Sequence, residues 1–376
     1  MTIHNKNNFS ARLLAWFDQY GRHDLPWQQE INPYRVWVSE IMLQQTQVKT
    51  VIPYYQKFMS HFPTVKDLVN ASQEQVLSHW AGLGYYARGR NLHKSAQIIV
   101  NEYGGEFPQN FDEIVALPGI GRSTAGAILS IALQQKYAIL DGNVKRVLSR
   151  YYAIEGWPGE KVIENDLWLK ASELTPPERF ADYTQAIMDL GATLCTRSKP
   201  NCQACPQQPY CQAYQQDRVL DFPYKKPKKE KPIKQAWLLI QANENGDVFL
   251  KKRPQKGIWG GLWSLPEFES RTLCEQYAES QGSHADTLIE WDTFRHTFSH
   301  YHLDIHPVYL DMSGEFKKQV AELNAEYRLQ AEPKAQIEHF GEWYSLEALM
   351  QSKVGLPAPV TKLITLLDKR KSDGLS

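Results

Sequence analysis

Long apolar runs are missing from this sequence. A membrane helix needs about 20 consecutive apolar residues, and every apolar stretch of this sequence is much shorter, so we expect no membrane partner. The first ten residues, MTIHNKNNFS, lack the apolar core of a signal peptide, and we expect a cytoplasmic protein. Neither sign of charge is in excess, because 42 Lys and Arg balance 42 Asp and Glu. The whole-chain charge therefore indicates no class of partner.

A lysine-rich segment divides the chain. With 376 residues the chain is too long for one ordinary core. The segment KKPKKEKPIK, at 225–234, contains six lysines, one glutamate and two prolines, which is typical of a solvated linker. It is either a simple spacer or a strap that touches nucleic acid. We predict a first domain at 1–224, this linker at 225–234 and a second domain at 235–376.

The apolar spacing differs between the two predicted domains. Residues 9–216 have helical spacing, with turns that contain Gly or Pro and no convincing strand. After the linker, two short apolar runs flank an Asn-Gly pair in QAWLLIQANENGDVFLKKRP, which predicts a β-hairpin. YHLDIHPVYL alternates with period two, and APVTKLITLLDKR has helical spacing. The predicted fold class is a mostly α first domain followed by an α+β second domain.

Cysteine is scarce, but four of the five cysteines are close together. The segment CTRSKPNCQACPQQPYC, at 195–211, has the spacing C-x6-C-x2-C-x5-C, with Cys195, Cys202, Cys205 and Cys211. Because nothing indicates an oxidising compartment, disulfides fit this pattern less well than a metal centre does. Four thiolates suit structural zinc or an iron–sulfur cluster, and the spacing does not decide between them. The fifth, Cys274, is expected to be a plain thiol.

A glycine pair predicts a tight corner between two helices. In ALPGIGRSTAGAIL, at 116–129, Gly119 and Gly121 would let the backbone turn sharply and let another backbone come close. The helix that follows would offer free amides to a phosphate, although the segment is equally consistent with a simple helix–turn–helix corner. Ser123, two residues further on, has no amine with which to form a Schiff base.

Two acidic residues occupy unusual positions. In VWVSEIMLQQTQV, Glu40 lies four residues after Val36 and three before Leu43, on the apolar side of a helix. Burial should raise its pKa. In YAILDGNVKRVLSR, Asp141 precedes an apolar-periodic helix, whose N-terminal amides should keep it ionised. A protonated acid beside a fixed anion is the pairing that breaks glycosidic bonds. The alternatives are a buried Glu40 with polar neighbours and an Asp141 that only caps its helix.

Several of these segments, in this order, resemble the MutY family of adenine DNA glycosylases, in the helix-hairpin-helix superfamily. The resemblance covers nearly the whole chain and is carried by LPWQ, WVSEIMLQQTQV, GLGYYARGRNLH, LPGIGRSTAGAIL, ILDGNVKRVLSR, the cysteine segment and FRHTFSHYHLDI. It implies a nucleoid-associated monomer that acts on double-stranded DNA. The implied reaction is hydrolysis of the N-glycosidic bond of adenine mispaired with 8-oxoguanine or guanine, which leaves an abasic site.

The resemblance also implies roles for individual residues. Glu40 would protonate adenine, Asp141 would stabilise the sugar cation, and Asn143 would orient this site. The four cysteines would bind a [4Fe–4S] cluster. Contacts with DNA are implied for Gln45, Tyr85, Gly119, Gly121 and Ser123, with Gln45 and Tyr85 as wedges. The implied adenine pocket includes Trp27 and Gln185, and a MutT-like Nudix second domain would recognise 8-oxoguanine through Phe298, Ser299 and His300.

Three other functions fit parts of this pattern. An endonuclease III-like glycosylase for oxidised pyrimidines would need a lysine where Ser123 stands, and the second domain would be an addition. A non-catalytic iron–sulfur DNA-binding protein would have no use for Glu40 paired with Asp141. A nucleotide-pool hydrolase would need a Nudix carboxylate cluster after GGLWSLPEF, and none follows in the sequence.

Overall fold

The chain divides into two compact units, each with its own secondary structure. The computed structural model describes residues 4–226, 230–254, 257–283, 285–312, 341–351 and 354–373, with backbone alone for 4–8. The first unit comprises Met1–Ser72 and Ala87–Lys228, and the second comprises Gln73–Tyr86 and Lys229–Ser376. The domain bounds at 224 and 235 stay a prediction, and residues 227–229 of the predicted linker lie outside the described residues.

The first unit is helical throughout its described part. A π-helical turn, Leu190–Leu194, continues directly from the last long helix. In chain order, its helices are α1 His4–Tyr20, α2 Pro33–Leu43, α3 Val48–His61, α4 Val65–Asn70, α6 Ala87–Tyr103, α7 Phe111–Ala116, α8 Arg122–Ile131, α9 Gly142–Tyr151, α10 Lys161–Leu174, α11 Phe180–Asp189 and α12 Gln212–Gln215. The remaining helix of this region of sequence, α5 Gln73–Trp80, belongs to the second unit.

Side-chain caps define where several of these helices begin. Asn32 accepts a hydrogen bond from the amide of Arg35 at the start of α2, and Asn110 caps α7 in the same way. Thr64 and Asp67 form a reciprocal capping box at the start of α4. Each cap satisfies amides that the first helical turn leaves without a partner. The caps therefore fix the positions of the loops that precede the helices.

The second unit is built on a mixed sheet. Its described strands are β1 Ile233–Ala242, β2 Val248–Lys252, β3 Trp263–Ser264, β4 Glu267–Phe268, β5 Ile289–Glu290, β6 Phe294–Thr297, β7 His302–Asp311 and β8 Gly341–Tyr344. The sheet order is β3-β2-β1-β7-β5, with β4 on β1, β6 on β7 and β8 on β2. The long strands β1 and β7 are parallel. Three helices complete the described part, α13 Arg271–Ser280, α14 Leu346–Met350 and α15 Ala358–Ser372.

The predicted elements of the second domain are confirmed. Strands β1 and β2 form an antiparallel pair around the Asn-Gly turn, where Gly246 has a φ of +80°. Tyr301, Leu303 and Ile305 are all buried, as the alternating pattern predicts. The segment APVTKLITLLDKR lies in α15. The predicted fold class, a mostly α domain followed by an α+β domain, is therefore correct.

Helix α5 and the loop after it are fixed to the sheet of the second unit. The Glu74 carboxylate accepts hydrogen bonds from the Trp263 indole, at 2.6 Å, and from the Lys252 ammonium, at 2.9 Å. The Tyr86 hydroxyl donates to the carbonyl of Leu356 at 3.0 Å. The second unit is thus assembled from two separated stretches of the chain. Within the described residues, none of the helices is both long enough and apolar enough to cross a membrane.

A buried histidine in the first unit predicts acid sensitivity. His93 is 6% exposed on α6 and hydrogen-bonds to the backbone of Ala71 and Val69, and burial lowers its pKa. The unfolded chain therefore binds the proton more readily, so stability is fully present above about pH 6.5 and falls as the pH drops below it. We expect His93→Gln to flatten the dependence of the thermal midpoint on pH between about 5 and 7. The exposed His61→Gln variant is the control, and an unchanged slope in His93→Gln would contradict the assignment.

Candidate active site

A single cavity of the first unit brings together residues that lie far apart in the sequence. Its volume is about 830 Å³, within the range of sites that hold small ligands. Helix α2, the start of α8, the start of α9 and the end of α11 all contribute to its wall. Seven of the predicted site residues line it, namely Trp27, Glu40, Gln45, Ser123, Asp141, Asn143 and Gln185.

The Glu40 side chain lines the cavity as a protonated carboxylic acid. It lies on α2 between the buried residues Ser39 and Ile41, and its own side chain keeps some exposure because it faces the cavity. Burial, with a smaller contribution from the charge of Asp141, raises the pKa of Glu40 to about 8. The sequence-based expectation of a raised pKa is confirmed. At neutral pH the side chain is a carboxylic acid that can donate a proton.

Asp141 is both a helix cap and a cavity residue. Its Oδ1 accepts from the amide of Val144 at 2.8 Å, and its Oδ2 accepts from the side-chain amide of Asn143 at 3.2 Å. The helix amides lower the pKa of Asp141, as expected, but they are not the largest influence on it. Burial raises the pKa of Asp141, against the lowering effects of the Val144 and Asn143 amides and the positive charge of Arg146. The cavity wall is more desolvated than an ordinary helix N-terminus.

The two acids therefore differ in protonation: one keeps its proton and the other carries a negative charge. Burial raises the pKa of each carboxyl group, and the charge of Asp141 raises the pKa of Glu40 further. The groups that favour a negative charge are all on Asp141, which has two backbone amides, the Asn143 side chain and Arg146 as partners. We assign the negative charge to Asp141 and the proton to Glu40.

Arg146 and Gly191, which the sequence reasoning missed, hold Asn143 in place. The Arg146 guanidinium donates to the Asn143 side-chain oxygen at 2.8 Å and to the Gly191 carbonyl at 2.7 Å. It also donates to the carbonyl of Cys195 at 2.7 Å. A Cβ at Gly191 would lie 2.6 Å from that of Asn143, so only glycine permits this approach. Arg146 lies three residues after Asn143 on the same helix, a spacing that could have revealed the pairing.

An ion pair between Arg22 and the buried Asp189 supports another part of the cavity wall. Asp189 is fully buried and accepts from the amide and the guanidinium of Arg22, another cavity residue. The Gln185 side-chain amide donates to the same carboxylate at 2.9 Å, which fixes its orientation. Trp27 is buried and packs edge-on against Tyr55. Because Arg22 and Asp189 are 167 residues apart, no local pattern of the sequence indicates their pairing.

Gln45 reaches the cavity on a strained loop. Its φ is +58°, a left-handed conformation that is uncommon outside glycine. The buried Arg88 guanidinium donates to the carbonyls of Ile41, Met42 and Gln44, which holds the loop after α2 in this shape. The strain is therefore imposed by a dedicated set of hydrogen bonds.

The predicted glycine corner is correct in outline and wrong in one detail. Gly119 has a φ of +83°, and a Cβ there would lie 2.9 Å from the side chain of Asn91. Gly121 has an ordinary φ of −94° at the start of α8, and a Cβ on it would meet nothing within 4 Å. Of these two positions, the fold requires glycine only at 119. Ser123 faces the cavity and accepts a hydrogen bond from the amide of Leu140, next to Asp141.

The remaining predicted DNA contacts lie in the second unit. Tyr85 is 54% exposed and has a φ of +49°, again left-handed. Phe298 packs against Tyr301 and Trp259, with ring centroids 4.6 and 5.2 Å away. Ser299 and His300 follow it and are exposed. Phe298 therefore serves as a packing anchor beneath two polar side chains, and the roles of all three in recognition stay a prediction.

The four clustered cysteines line a second cavity of the first unit. Cys195, Cys202, Cys205 and Cys211 share it with apolar side chains of α9 and of the π-helical turn. Burial, and then the other three cysteines, raise the pKa of Cys205 to about 12. In the described part of the chain, no three His, Cys, Asp or Glu side chains are close enough together to hold a single metal ion.

A buried cation stands beside these cysteines. Arg150 is 2% exposed, and its guanidinium donates to the Cys195 sulfur at 3.3 Å and to the carbonyls of Phe222, Cys195, Thr196 and Arg197. All of these partners are neutral in the free thiol state. A buried charge needs an opposite charge nearby, which a centre held by four thiolates would provide. The residues present therefore fit a centre held by four thiolates, either zinc or an iron–sulfur cluster.

Comparison with known sequences identifies similar proteins over most of the chain. Residues 38–173 match the HhH-GPD superfamily of base excision DNA repair proteins, and residues 236–366 match the NUDIX domain. Adenine DNA glycosylase of Buchnera aphidicola is 40% identical over 95% of this chain and 96% of its own length. Adenine DNA glycosylase of Homo sapiens is 36% identical over 82% of this chain and 67% of its own length.

Solved structures resemble the first part of the chain. A thermostable thymine-DNA glycosylase aligns with a TM-score of 0.52 at 29% identity, over 57% of this chain and all of its own. Endonuclease III, in a non-covalent complex with DNA, aligns with a TM-score of 0.50 at 21% identity, over 58% of this chain and 98% of its own. The second of these similarities concerns the fold alone.

Proposed function

Because the chain belongs to the adenine DNA glycosylase family, within the HhH-GPD superfamily, we propose that it hydrolyses the glycosidic bond of adenine opposite 8-oxoguanine or guanine at the Glu40–Asp141 cavity. As a family member it is an enzyme of base excision repair, and its substrate is DNA. The observation that carries the proposed site is that Glu40 and Asp141 line the same cavity, where the charge of Asp141 contributes to the raised pKa of Glu40. Its place of action would be the nucleoid.

In the proposed reaction, Glu40 acts on the departing base and Asp141 acts on the sugar. An adenine inside the duplex cannot reach the cavity, so it must first leave the stack. Glu40 then donates its proton to N7, an acceptor on the adenine edge, and the base departs as a neutral molecule. The Asp141 carboxylate stabilises the cation left on the sugar. Water adds to C1′ and passes a proton to the Glu40 carboxylate, which leaves an abasic site and restores the acid.

Other cavity residues would bind the extruded base. Because the amide of Gln185 is donated to Asp189, its side-chain oxygen is oriented to accept from the adenine amino group. Trp27 supplies an apolar wall. Gln45, held on its strained loop, and Tyr85 would occupy the space that the base leaves. Ser123 has no amine, so the proposed activity ends at the abasic site without strand cleavage.

The second unit would supply the preference for 8-oxoguanine. Ser299 and His300 offer hydrogen-bonding groups at an exposed turn that is fixed on both sides. The amide of Phe298 donates to the Tyr301 carbonyl, and Lys231 donates to the carbonyl of Phe298. A turn held in this way loses little entropy when it binds a ligand. We do not assign diphosphate hydrolysis to this unit, because the carboxylate run of that activity is missing from the sequence.

The release of adenine from defined duplexes tests the proposed function. Purified full-length protein is incubated with duplexes that contain adenine opposite 8-oxoguanine, adenine opposite guanine, or thymine glycol. We expect alkali-labile sites at adenine in the first two and no strand break before alkali. Release of thymine glycol in place of adenine would assign the endonuclease III-like function. Binding without any release, by protein that contains its full iron content, would assign a non-catalytic role.

Iron content tests the proposed [4Fe–4S] cluster. When bound, the cluster would join the segment 195–211 to α9 and so support the loop that contacts Arg146. We expect Cys202→Ser to lower the iron and sulfide content per chain, together with the visible absorption and the DNA affinity. Cys274→Ala, which removes the buried thiol of the second unit, is the matched control and should keep its iron. Full iron content in Cys202→Ser, or stoichiometric zinc in the wild-type protein, would contradict the proposal.

A further inference from the structure

A third cavity lies beside the glycine corner and belongs to neither site described above. Its volume is about 330 Å³, and its walls come from the starts of α7 and α8, the segment 136–138 and the second half of α10. The residues described as lining it include two cations, three aromatic rings and no carboxylate. Such a composition favours a ligand that is both anionic and flat or apolar on one side.

The guanidinium of Arg122 is held in an orientation in which it can bind an anion in this cavity. It is the first residue of α8, and its guanidinium carbon lies 3.9 Å from the ring centroid of the buried Trp168. A guanidinium stacked on an indole keeps its N–H donors at the edge of the plane, where a phosphate can accept two of them. Because the stack already restricts the side chain, little further entropy is lost on binding.

The cavity is also lined by a second cation and by an aromatic pair. Lys136 is exposed, and its neighbour Tyr137 stacks on Phe111 with a centroid distance of 5.4 Å and an interplanar angle of 7°. Because Arg122 and Lys136 line the same cavity, both cations are available to an anion bound there. The paired rings offer a face to the sugar or base of the same nucleotide.

The cavity lies next to the glycine corner, and this position indicates what kind of ligand it binds. Arg122 follows Gly121 directly, and the Cβ position of Gly121 faces open space in front of the amides of α8. If the glycine corner contacts the DNA backbone, Arg122 lies beside the same strand. We propose that this cavity binds a backbone phosphodiester of the substrate duplex, next to the one at the corner, through Arg122 and Lys136. The inference rests on DNA as the substrate and extends the binding footprint beyond the active-site cavity.

The salt dependence of DNA binding tests this site. The probe is a duplex whose target adenosine carries a 2′-fluoro sugar that resists cleavage, and its Kd is measured at several KCl concentrations. We expect Arg122→Gln and Lys136→Gln each to weaken binding by about 3- to 10-fold and to lower the slope of log Kd against log salt by about 1. Arg122→Lys should restore the slope more fully than the affinity, because lysine keeps the charge and loses the stacked geometry. Lys57→Gln, an exposed lysine on α3, is the control and should change neither quantity.

Two further measurements separate this site from catalysis and from other ligands. Thermal midpoints near the wild-type value would show that the variants fold. The rate of single-turnover excision at saturating DNA should stay within about 2-fold of the wild-type rate, because Arg122 and Lys136 do not line the Glu40–Asp141 cavity. Unchanged Kd and slope in both variants would overturn the proposal. Stabilisation of the wild-type protein by AMP, lost in Arg122→Gln and with unchanged DNA slopes, would assign the cavity to a free nucleotide. The binding assay works with undamaged duplex too, so it stands even if adenine release fails.

Discussion

Replacing Glu40 with glutamine is expected to lower the single-turnover rate of adenine release by a factor of about 100 or more, with DNA affinity retained. Glutamine matches the size of the protonated side chain but has no proton of suitable acidity to donate to N7. Glu30→Gln, the same change at an exposed residue that pairs with Arg35, should leave the rate unchanged. A rate near the wild-type value in Glu40→Gln would eliminate this residue as the acid.

The same variant should be more stable than the wild-type protein. In the folded chain the pKa of Glu40 is raised to about 8, so the stability that it contributes is present at low pH and is lost as the pH rises through that value. At about pH 7 the unfolded chain already ionises this side chain, which costs the folded state about 3 kcal/mol that glutamine avoids. We expect a higher denaturation midpoint for the variant. The wild-type excision rate should also fall above about pH 8, as the acid loses its proton.

Asp141→Asn is expected to lower the excision rate by a factor of about 100 to 1,000, because it removes the negative charge next to the sugar cation. Asparagine is as good a helix cap as aspartate, so its side-chain oxygen can still accept from the amide of Val144. The thermal midpoint should therefore change little. Since the charge of Asp141 raises the pKa of Glu40, the loss of activity at high pH should begin at a lower pH in this variant.

Two controls separate this charge effect from a structural one. Asp112→Asn changes an exposed acid in the first turn of α7 and should have no effect on the rate. The double variant with Glu40→Gln should be little slower than the slower single variant, because the two acids act on one bond. Normal excision by a stably folded Asp141→Asn protein would reduce Asp141 to a helix cap.

The parts of the fold that follow local patterns could be predicted from the sequence. The Asn-Gly hairpin, the alternating strand β7 and the helix α15 each depend on residues close together in the chain. The position of Glu40 was predicted for a similar reason, since one helical pattern shows that its neighbours are buried. For Asp141 the cap was visible but the desolvation was not, because the latter depends on α2 and the other walls of the cavity.

The remaining features arise from contacts between distant segments. Arg22 meets Asp189, and Arg150 meets the carbonyl of Phe222, over separations of 167 and 72 residues. The need for glycine at position 191 comes from the approach of Asn143, which no turn motif indicates. Gly121, by contrast, was expected to require its glycine for the turn, and its backbone shows that any residue could adopt that conformation.

The attachment of Gln73–Tyr86 to the second unit affects how a shortened form of this protein would behave. A chain that stops before residue 230 would still contain Glu74 and Tyr86 but would lose Trp263, Lys252 and Leu356, their hydrogen-bond partners. The cut would remove these hydrogen bonds from a helix and a loop that stay behind. A defect in such a truncated enzyme would report on the missing sheet and on a disturbed segment 73–86 together, so point substitutions at Ser299 and His300 separate the two where deletion does not.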